Sequence, residues 1–568
     1  MAAVRVAWAA SDDGPIRSSP WLVLGASVAV GLVSALFALP HALSAWWLSP
    51  DAIEHLAIAN AWRHGSGFVD PVQWNYFLQD HFAPLPAFAE RAPVVPVLFA
   101  LAFEFGATVS NISPLHAIWA STIIALTVPA ACQFMRLPAA TATALLIGLS
   151  PGWILLARYP WTECTAFGAY LLILVSARGV MRSASGAILC ALATELAWAT
   201  RPNLEAIAVA VIVAAVWEVG WRRSVRHAGL WIYALALIAL HLSIGILVKS
   251  ITGLAPYAGY AVGEVLRDTD AFHYRMEYLG PLTFVRTHAS ELLPSMKVGF
   301  DILCQKLYGD GTFHHLGWLL LPALPYALAS RRAGSFEQRI NAFSALGLSV
   351  VVVAVGLQSF DANRYPLFGA TGAALCGMAM IDDLALLAGE YFRGILGRAT
   401  VTLFALLPLV GAVLLICFTT ASQSLQDSRA AWQSYQQRGT VEFIDWGLNG
   451  STQQFCRHMD RDAIVAGANP WSYTFWCGNA ALFLPIDLGT VEWQQRFIRE
   501  RHPRYFISDG GYFYYWLQHS KLLTEVARFD RFTLYKVRGH GSETDPWQAP
   551  PPVACAGKDS DCTEQLGR

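Results

Sequence analysis

The stretch SPDAIEHL places Asp51, Glu54 and His55 within one helical turn, directly after the first long apolar segment. A positioned carboxylate can act as a general base and remove a proton from a hydroxyl group. The stretch also has the features of a helix start, because Ser49 could cap the helix and Pro50 suits its first position. Asp51 therefore has two interpretations, as a catalytic base or as part of a helix N-terminus. Glu54 could support a site or merely continue the helix.

A Glu-Arg pair, Glu90 and Arg91, directly precedes the apolar stretch that begins at Pro93. An arginine at a lipid–water boundary suits a lipid phosphate, because guanidinium makes bidentate contacts with phosphate oxygens. Glu90 could bind a divalent metal ion or a sugar hydroxyl. The alternative is structural, with Pro93 starting a helix and Glu90 pairing with Arg91.

The stretch ARYPWTEC carries Glu163 beside the start of another apolar segment, with Arg158 and Tyr159 just before it. Acidic residues near hydrocarbon usually have a functional task, so Glu163 is a candidate catalytic residue and Arg158 a candidate substrate contact. The alternative is an interfacial cluster in which Arg158 snorkels and Tyr159 and Trp161 belong to an aromatic belt. That alternative explains the aromatic residues better than it explains Glu163.

Two further arginines, Arg201 in ATRPN and Arg364 in DANRYPLFG, could form a cationic site with Arg91 for an anionic lipid headgroup. Each of them alone is more often an interfacial anchor. His273, in DTDAFHYRMEYLGP, could ligate a metal ion or contact the headgroup, although a lone histidine in a loop more often does neither. The candidate metal ligands are Glu90, Glu163 and His273.

The elements that must position these residues are predominantly membrane-spanning helices. The 568 residues are 55% hydrophobic and 14% charged, whereas soluble proteins contain about 25% charged residues. Apolar runs of about twenty residues recur along the chain, which is typical of transmembrane helices. The first run is too long for a signal-peptide core and is expected to remain as a span. The predicted spans cover approximately 21–47, 115–135, 138–156, 163–180, 185–200, 203–220, 228–249, 315–330, 339–358, 365–388 and 399–420.

The distribution of arginines predicts the orientation of these spans, because Lys and Arg concentrate in short cytoplasmic loops. The arginine-bearing short loops all fall on the N-terminal side of the membrane if the apolar stretch 93–109 does not cross it. We therefore expect 93–109 to be a membrane-edge helix, in an inner (plasma) membrane protein with a cytoplasmic N-terminus and an outside C-terminus. The candidate site residues then lie on the outer face, in the loops 48–114 and 250–314, in the turn around Glu163, in ATRPN at Arg201 and in SFDANRY at 359–365.

The composition becomes more polar after about residue 420, which predicts a small extracytoplasmic α/β domain over 421–540 and a flexible tail over 541–568. If this domain faces an oxidising compartment, proximity favours the disulfides Cys456–Cys477 and Cys555–Cys562, although sequence alone does not fix the pairing. The predicted fold class is an α-helical polytopic membrane protein with about eleven spans, juxtamembrane helices and this C-terminal α/β domain.

The segments expected to form that domain alternate between strands and helices. Strands are predicted for RDAIVAGA, AALFLP and PRYFISDG, and a strand pair for LTEVARFDRFTLYKVR. Helices are predicted within NPWSYTFWCGN and TVEWQQRFIRERH.

The order of these motifs over about 20–420 resembles the GT-C superfamily of integral-membrane glycosyltransferases. It looks closest to the bacterial branch similar to protein O-mannosyltransferases and to the lipid A aminoarabinose transferase. That family has an acid after the first span, a charged-plus-proline start to a membrane-edge helix, a second acid before a later span, a TRP motif and a late RY motif with proline. The matching positions here are Asp51, ERAP at 90–93, Thr162–Glu163, Thr200–Pro202 and Arg364–Pro366.

The resemblance implies that residues 1–420 form a catalytic domain that transfers a hexosyl or pentosyl group from a polyprenyl-phosphate sugar, with inversion. The acceptor would be an extracytoplasmic hydroxyl on a protein, a lipid or a glycan, and Asp51 would be its general base. The lipid phosphate would leave with its charge held by Arg91, Arg201 or Arg364. Membrane lipid would surround the site, and no nucleotide would be required.

Two departures from the family pattern concern the acidic residues. Many relatives have two adjacent acids in the first loop, whereas Ala52 follows Asp51 here. The acid of the second loop is often Asp, and here it is Glu163. A divalent metal cofactor and the division of roles between the acids therefore stay open.

Two other classes of function compete with this expectation. A lipid or sugar transporter or flippase would have ionisable residues deep in its spans, inverted repeats and broken helices. The candidates for such residues are Glu195, and Asp382 with Asp383 near a span end. A non-catalytic scaffold would not need carboxylates and arginines gathered at one membrane edge. The net charge of −1, with no dense basic cluster, gives no indication of nucleic-acid binding.

Overall fold

The fold is described from a computed structural model of the 568-residue chain. The residues it describes are 19–44, 48–73, 83–258, 286, 289–308, 313, 316–330, 334–355, 364, 366–396, 404, 406, 410–411, 422–438, 450–467, 470–484, 491–508, 522–529 and 532–538. His273, the pair Cys555–Cys562 and the tail 541–568 lie outside the described residues, as does nearly all of the predicted span 399–420.

Helices make up most of the described chain. In order they are α1 (Pro20–Leu43), α2 (Pro50–Arg63), α3 (Ala87–Glu90), α4 (Val94–Glu104), α5 (Val109–Ala131), α6 (Leu137–Gly148), α7 (Pro151–Arg158), α8 (Thr162–Arg182), α9 (Ala184–Thr200), α10 (Glu205–Val219), α11 (Trp221–Ser224), α12 (Ala228–Thr252), α13 (Ala289–Leu307), α14 (Leu320–Ala329), α15 (Ser335–Val355), α16 (Leu367–Leu396), α17 (Ser422–Arg438), α18 (Gly450–Phe455), α19 (Pro470–Cys477) and α20 (Val491–Arg501).

Six helices in the described residues are long and apolar enough to cross a membrane. They are Pro20–Leu43, Val109–Ala131, Thr162–Arg182, Pro202–Val219, Ala228–Thr252 and Leu367–Arg393. Helices α6 and α7 meet the same criterion only as a pair, and they are bent by 61°. These helices agree with a multi-pass membrane protein, whereas the count of about eleven spans stays a prediction.

The apolar stretch 93–109 is not one continuous span. Helix α4 has 11 residues and ends before Gly106, whose φ of 92° breaks the helix. Eleven residues rise about 16 Å, roughly half of the hydrocarbon thickness of a bilayer. The length of α4 therefore agrees with the expected membrane-edge helix.

Helices α8 and α9 form a tight hairpin that brings two candidate site residues together. A Cβ added to Gly179 would lie 2.5 Å from the Cα of Gly186, so only glycine permits this approach of the two backbones. Because the helices run in opposite directions, the start of α8 and the end of α9 lie at the same end of the hairpin. Glu163 and Arg201 occupy those two positions.

The C-terminal α/β region (residues 450–538) contributes five strands to a six-stranded sheet with the order β2-β5-β4-β6-β8-β7. The short strands β1 and β3 pair separately. The strands are β1 (Val69–Asp70), β2 (Val72–Gln73), β3 (Leu85–Pro86), β4 (Val465–Gly467), β5 (Ala481–Phe483), β6 (Tyr505–Ser508), β7 (Leu523–Phe529) and β8 (Phe532–Val537). The strands and helices expected from the sequence of this region are all present, and the small α/β unit is confirmed.

The sixth strand of that sheet comes from the N-terminal half of the chain. Strand β2, which begins nine residues after the last residue of α2, pairs in parallel with β5, so that Val72 lies opposite Ala481 and Gln73 opposite Leu482. The segment that follows the helix of Asp51 is therefore part of the C-terminal sheet.

Apolar side chains also join α2 to the C-terminal α/β region. One buried cluster contains Ile53 and Leu56 from α2, Phe99 from α4, and Trp471 and Phe475 from α19. A disulfide between Cys456 and Cys477 fixes the last residue of α19, as proximity in the sequence favoured. Helix α2 is thus held between helix α4 and helix α19.

Ionisable residues within the helical bundle pair with one another in the described structure. Arg136 bonds to Asp382, Arg178 to Glu337 and Arg339 to Glu218. Asp383 accepts hydrogen bonds from Tyr326 and Gln338, and Glu195 lies 3.6 Å from His241. Paired groups of this kind connect helices to one another, which does not favour the transporter alternative over the enzyme.

Candidate active site

The helix that carries Asp51 begins as the sequence predicts. Ser49 Oγ accepts a hydrogen bond from the Ala52 backbone N–H at 3.2 Å, and Pro50 is the first helical residue. Ser49 Oγ also accepts a hydrogen bond from Trp161 Nε1, which connects this cap to the segment before α8. The capping interpretation of SPDAIEHL is confirmed, and the cap residue is Ser49 rather than Asp51.

Asp51 lies between two guanidinium groups. Its Oδ1 accepts a hydrogen bond from Arg91 Nη2 at 3.0 Å, and its Oδ2 accepts one from Arg364 Nη2. Burial raises the pKa of Asp51, but Arg364 and Arg91 outweigh this effect and hold the pKa below its usual range. About a quarter of the side chain stays exposed, so a ligand can reach the carboxylate.

Glu54 fixes the position of Arg91 through a bidentate ion pair. It is fully buried and accepts hydrogen bonds from Arg91 Nε at 2.7 Å and Arg91 Nη2 at 2.6 Å. Trp471 Nε1, from α19, donates a third hydrogen bond to Glu54 at 3.1 Å. Burial and the charge of Glu54 raise the pKa of the neighbouring Asp70 well above its usual range. A bidentate ion pair therefore orients Arg91, and the C-terminal α/β region contributes to it.

Glu163 holds the other two arginines. It is fully buried, bonds to Arg201 Nη1 and lies 3.5 Å from Arg364 Nε. Arg201 Nη1 also donates a hydrogen bond to Thr162 Oγ1 at 3.1 Å. The buried carboxylates Glu54 and Glu163 thus support Arg201 and the two arginines that pair with Asp51.

The aromatic residues of ARYPWTEC are buried in the protein, so their interpretation as an interfacial belt is wrong. Tyr159 and Trp161 are 7% and 9% exposed. The Arg364 guanidinium lies over the Trp161 ring at 5.1 Å from its centroid, which adds a cation–π contact to the ion pairs of Arg364. Trp161 therefore positions both Arg364 and the cap of α2.

Asp51 and the three arginines line a cleft that contains about 380 Å³ of empty space, part of it open to solvent. Its lining consists of Asp51, His55, Arg91, Ala92, Thr162, Thr200, Arg201, Pro202, Tyr257 and Arg364. Three guanidiniums and one carboxylate leave the lining with a net positive charge. A cleft of this kind can hold an anionic group next to a proton acceptor.

The other candidate residues lie elsewhere. Arg158 is half-buried, with its guanidinium 5.1 Å from the Tyr159 ring centroid, and does not line the cleft. Glu90 ends α3 but its side chain is not described, and His273 lies outside the described residues. No three His, Cys, Asp or Glu side chains converge as metal ligands in the described part of the chain, and Glu163 is engaged by arginines. The described donor set therefore does not fit a bound metal ion.

Several cleft and support residues were not among the candidates from sequence. His55 is four residues after Asp51, and that spacing was a usable signal because it puts both side chains on one helix face. Asp70, Trp471 and Tyr257 gave no such signal. Their positions depend on strand pairing, on the C-terminal region and on an aromatic cluster with Trp198.

Two solved structures share this fold. ArnT from Cupriavidus metallidurans, bound to undecaprenyl phosphate, superposes with a TM-score of 0.50 at 14% identity, over 91% of this chain and 98% of that one. The archaeal oligosaccharyltransferase AglB from Archaeoglobus fulgidus, in complex with an inhibitory peptide and a dolichol-phosphate, gives 0.51 at 13% identity, over 85% of this chain and 69% of that one. No protein-family profile and no curated protein sequence match the chain. At this level of identity the comparison shows a shared fold, and the chain has the overall fold of these two structures.

Proposed function

We propose that the protein is a membrane glycosyltransferase that transfers a sugar from a polyprenyl-phosphate donor to an acceptor hydroxyl outside the cell membrane. The observation that carries this proposal is the cleft in which Arg91 and Arg364 pair with Asp51 and Arg201 lines the same wall. The shared fold supports it, because one structure with this fold holds undecaprenyl phosphate and another holds a dolichol-phosphate. Residues 1–420 would form the catalytic domain, and residues 421–540 an extracytoplasmic domain that helps to bind the acceptor.

The donor phosphate would bind to the arginines of the cleft. Guanidinium groups recognise phosphate oxygens with paired, charge-assisted hydrogen bonds. Asp51 accepts hydrogen bonds from Arg364 and Arg91 in the cleft. A bound phosphate would therefore compete with Asp51 for these donors. Loss of those pairs would raise the pKa of Asp51 towards the range of an effective base.

The transfer would then be a single displacement with inversion. Asp51 would accept the proton of the acceptor hydroxyl while that oxygen attacks the anomeric carbon. The bond between the anomeric carbon and the phosphate oxygen would break on the opposite face, and the polyprenyl phosphate would leave with the negative charge. The arginines would stabilise that charge, which is where electrostatic catalysis acts most strongly.

The two buried glutamates would act indirectly. Glu54 would hold Arg91 in place through its bidentate pair, and Glu163 would hold Arg201 and Arg364. Glu163, a candidate catalytic residue from sequence, does not line the cleft, so we propose that it positions the phosphate-binding arginines. No step of this mechanism passes through a metal ion.

The first test is Asp51→Asn in a transfer assay with a panel of polyprenyl-phosphate sugars. We expect the rate of transfer to fall about 10²- to 10⁴-fold, which is the usual contribution of a general base. Binding of the donor should persist or become tighter, because the amide no longer competes for Arg364 and Arg91. The rate is measured as product formed by purified protein in lipid nanodiscs, and binding as retention of the radiolabelled donor.

The matched control is Glu104→Gln, which removes an exposed carboxylate that pairs with Arg63 away from the cleft. It should transfer at the wild-type rate. The proposal fails if wild type transfers no sugar of the panel, or if Asp51→Asn transfers as fast as Glu104→Gln.

A further inference from the structure

His55 is a polar residue of the cleft that the proposed reaction does not yet use. It lies one turn after Asp51 on α2 and lines the cleft together with Asp51 and the three arginines. Its side chain is almost completely buried, at 4% exposure. Its Nδ1 is buried and has no hydrogen-bond partner in the part of the chain that the structure describes.

A buried ring nitrogen without a partner is unfavourable, because it has lost its hydrogen bonds to water without replacement. A ligand or an ordered water can supply the missing partner. In this protein the ligand space is adjacent, since the imidazole is part of the cleft wall. The unpartnered Nδ1 and the place of His55 in the cleft wall together make this residue a candidate ligand contact.

The charge of His55 restricts the kind of ligand. Burial and the neighbouring Arg91 lower its pKa to about 3, against the opposing effects of Asp51 and Glu163. The imidazole is thus neutral at physiological pH and adds nothing to the binding of an anion. In this neutral form it can donate or accept one hydrogen bond at Nδ1.

We propose that His55 binds an uncharged hydroxyl group of the substrates through Nδ1, next to the phosphate site formed by the arginines. This inference rests on the proposed transferase function, in which both the donor sugar and the acceptor carry hydroxyls. In this arrangement the guanidiniums bind the lipid phosphate. The neutral imidazole of His55 binds a hydroxyl of the donor sugar or of the acceptor.

The test compares His55→Asn with His55→Phe. The Asn amide places a hydrogen-bonding atom close to the position of Nδ1, whereas Phe keeps a ring of similar size without one. Undecaprenyl phosphate without sugar, and the undecaprenyl-phosphate sugar that wild type transfers, are titrated separately onto each protein in nanodiscs. His64→Asn is the control, because His64 is exposed at the end of the same helix.

We expect His55→Phe to weaken binding of the sugar-bearing donor, or to raise KM for the acceptor, about 3- to 10-fold, the equivalent of one hydrogen bond. The first result identifies the donor sugar as the partner of His55, and the second identifies the acceptor. His55→Asn should recover most of the loss, and both variants should bind sugar-free undecaprenyl phosphate as tightly as wild type.

Two results overturn the assignment: unchanged binding and KM in His55→Phe, or an equal loss of affinity for undecaprenyl phosphate with and without sugar. The second would mean that His55 supports the phosphate site or the fold. If wild type binds neither lipid, the transferase function itself is wrong and the role of His55 falls with it. These outcomes separate the failure of the inference from the failure of the proposed function.

Discussion

At the scale of single residues, the most consequential feature is that Asp51 is a poor base in the structure as it stands. Both of its carboxylate oxygens are paired with arginines, and these pairs hold its pKa low. Efficient general bases have a pKa closer to the working pH. Under the proposed mechanism, the donor phosphate both brings the sugar and releases Asp51 from its arginines. Proton transfer would therefore be coupled to donor binding, which limits unproductive chemistry in the empty cleft.

Asp70 provides a residue-scale prediction about stability and pH. Its carboxyl is buried against Glu54, and its pKa is raised in the folded state. The folded state thus binds this proton more tightly than the unfolded state, in which the pKa is about 4. Stability from this group is therefore present at low pH and is lost as pH rises from about 4 through the folded-state pKa.

Asp70→Asn removes that titration and keeps an uncharged group of the same shape. We expect the variant to match wild type near pH 4 and to unfold at a higher temperature than wild type as pH rises. The measurement is the thermal midpoint in detergent at a series of pH values, taken as variant minus wild type so that all other groups cancel. A variant that is less stable than wild type across the whole series would contradict the raised pKa.

At the scale of elements, helix α2 is positioned by the C-terminal α/β region as well as by the membrane helices. Trp471 of α19 bonds to Glu54, Phe475 O lies 3.5 Å from Asn60 Nδ2, and β2 pairs with β5. Three successive hydrogen bonds, from Trp471 to Glu54, from Arg91 to Glu54 and from Arg91 to Asp51, connect that region to the cleft. The C-terminal region therefore contributes to the geometry of the arginines.

Trp471→Phe tests this connection. The change removes one hydrogen bond to a buried carboxylate, worth about 1.5–3 kcal/mol for a charged acceptor. Arg91 should then be less well oriented. We expect kcat/KM for transfer to fall about 10-fold, with a higher KM for the donor, because Arg91 is one of the arginines proposed to bind the donor phosphate. The readouts are the kinetic constants and the thermal midpoint.

Trp476→Phe is the matched control, because it makes the same substitution in the same helix. The Trp476 indole N–H is buried and has no hydrogen-bond partner among the described residues. We expect wild-type kinetics from it. Equal losses in the two variants would mean that α19 matters through packing alone, and not through the bond to Glu54.

At the scale of the whole molecule, the polar chemistry lies at one end of the helical bundle. Asp51, Arg201 and Arg364 gather where α2 meets the start of α8 and the end of α9, close to the C-terminal sheet. Charged pairs such as Arg136–Asp382 occupy other positions in the bundle. The arginine distribution of the sequence predicts that the cleft faces the outside of the cell.

The predicted orientation is tested with single cysteines at two exposed serines, Ser66 after α2 and Ser185 in the first turn of α9. A membrane-impermeant maleimide should label Ser66→Cys in intact spheroplasts, and label Ser185→Cys only after permeabilisation. Wild type serves as the blank for the native cysteines. The reverse pattern would invert the topology and place the cleft on the cytoplasmic side, where an extracytoplasmic acceptor cannot reach it.

The sequence by itself determined the local elements and the charged residues of the cleft. Capping and proline signals predicted the start of α2, and long apolar runs predicted membrane helices. Alternating strand-like and helix-like segments predicted the α/β elements of the C-terminal region. Each of these signals depends on neighbours within a few residues. The sequence alone identifies the candidates Asp51, Arg91, Arg201 and Arg364, since charged residues beside long apolar segments are conspicuous.

The tertiary structure alone decided how those residues are paired and supported. Arg364 bonds to Asp51 across 313 residues, and Trp471 bonds to Glu54 across 417. Glu163 lies behind the arginines instead of facing the cleft, and Tyr159 and Trp161 are buried instead of lying in a membrane belt. No periodicity carries such information, because contacts between distant segments depend on how whole helices and the C-terminal sheet pack together.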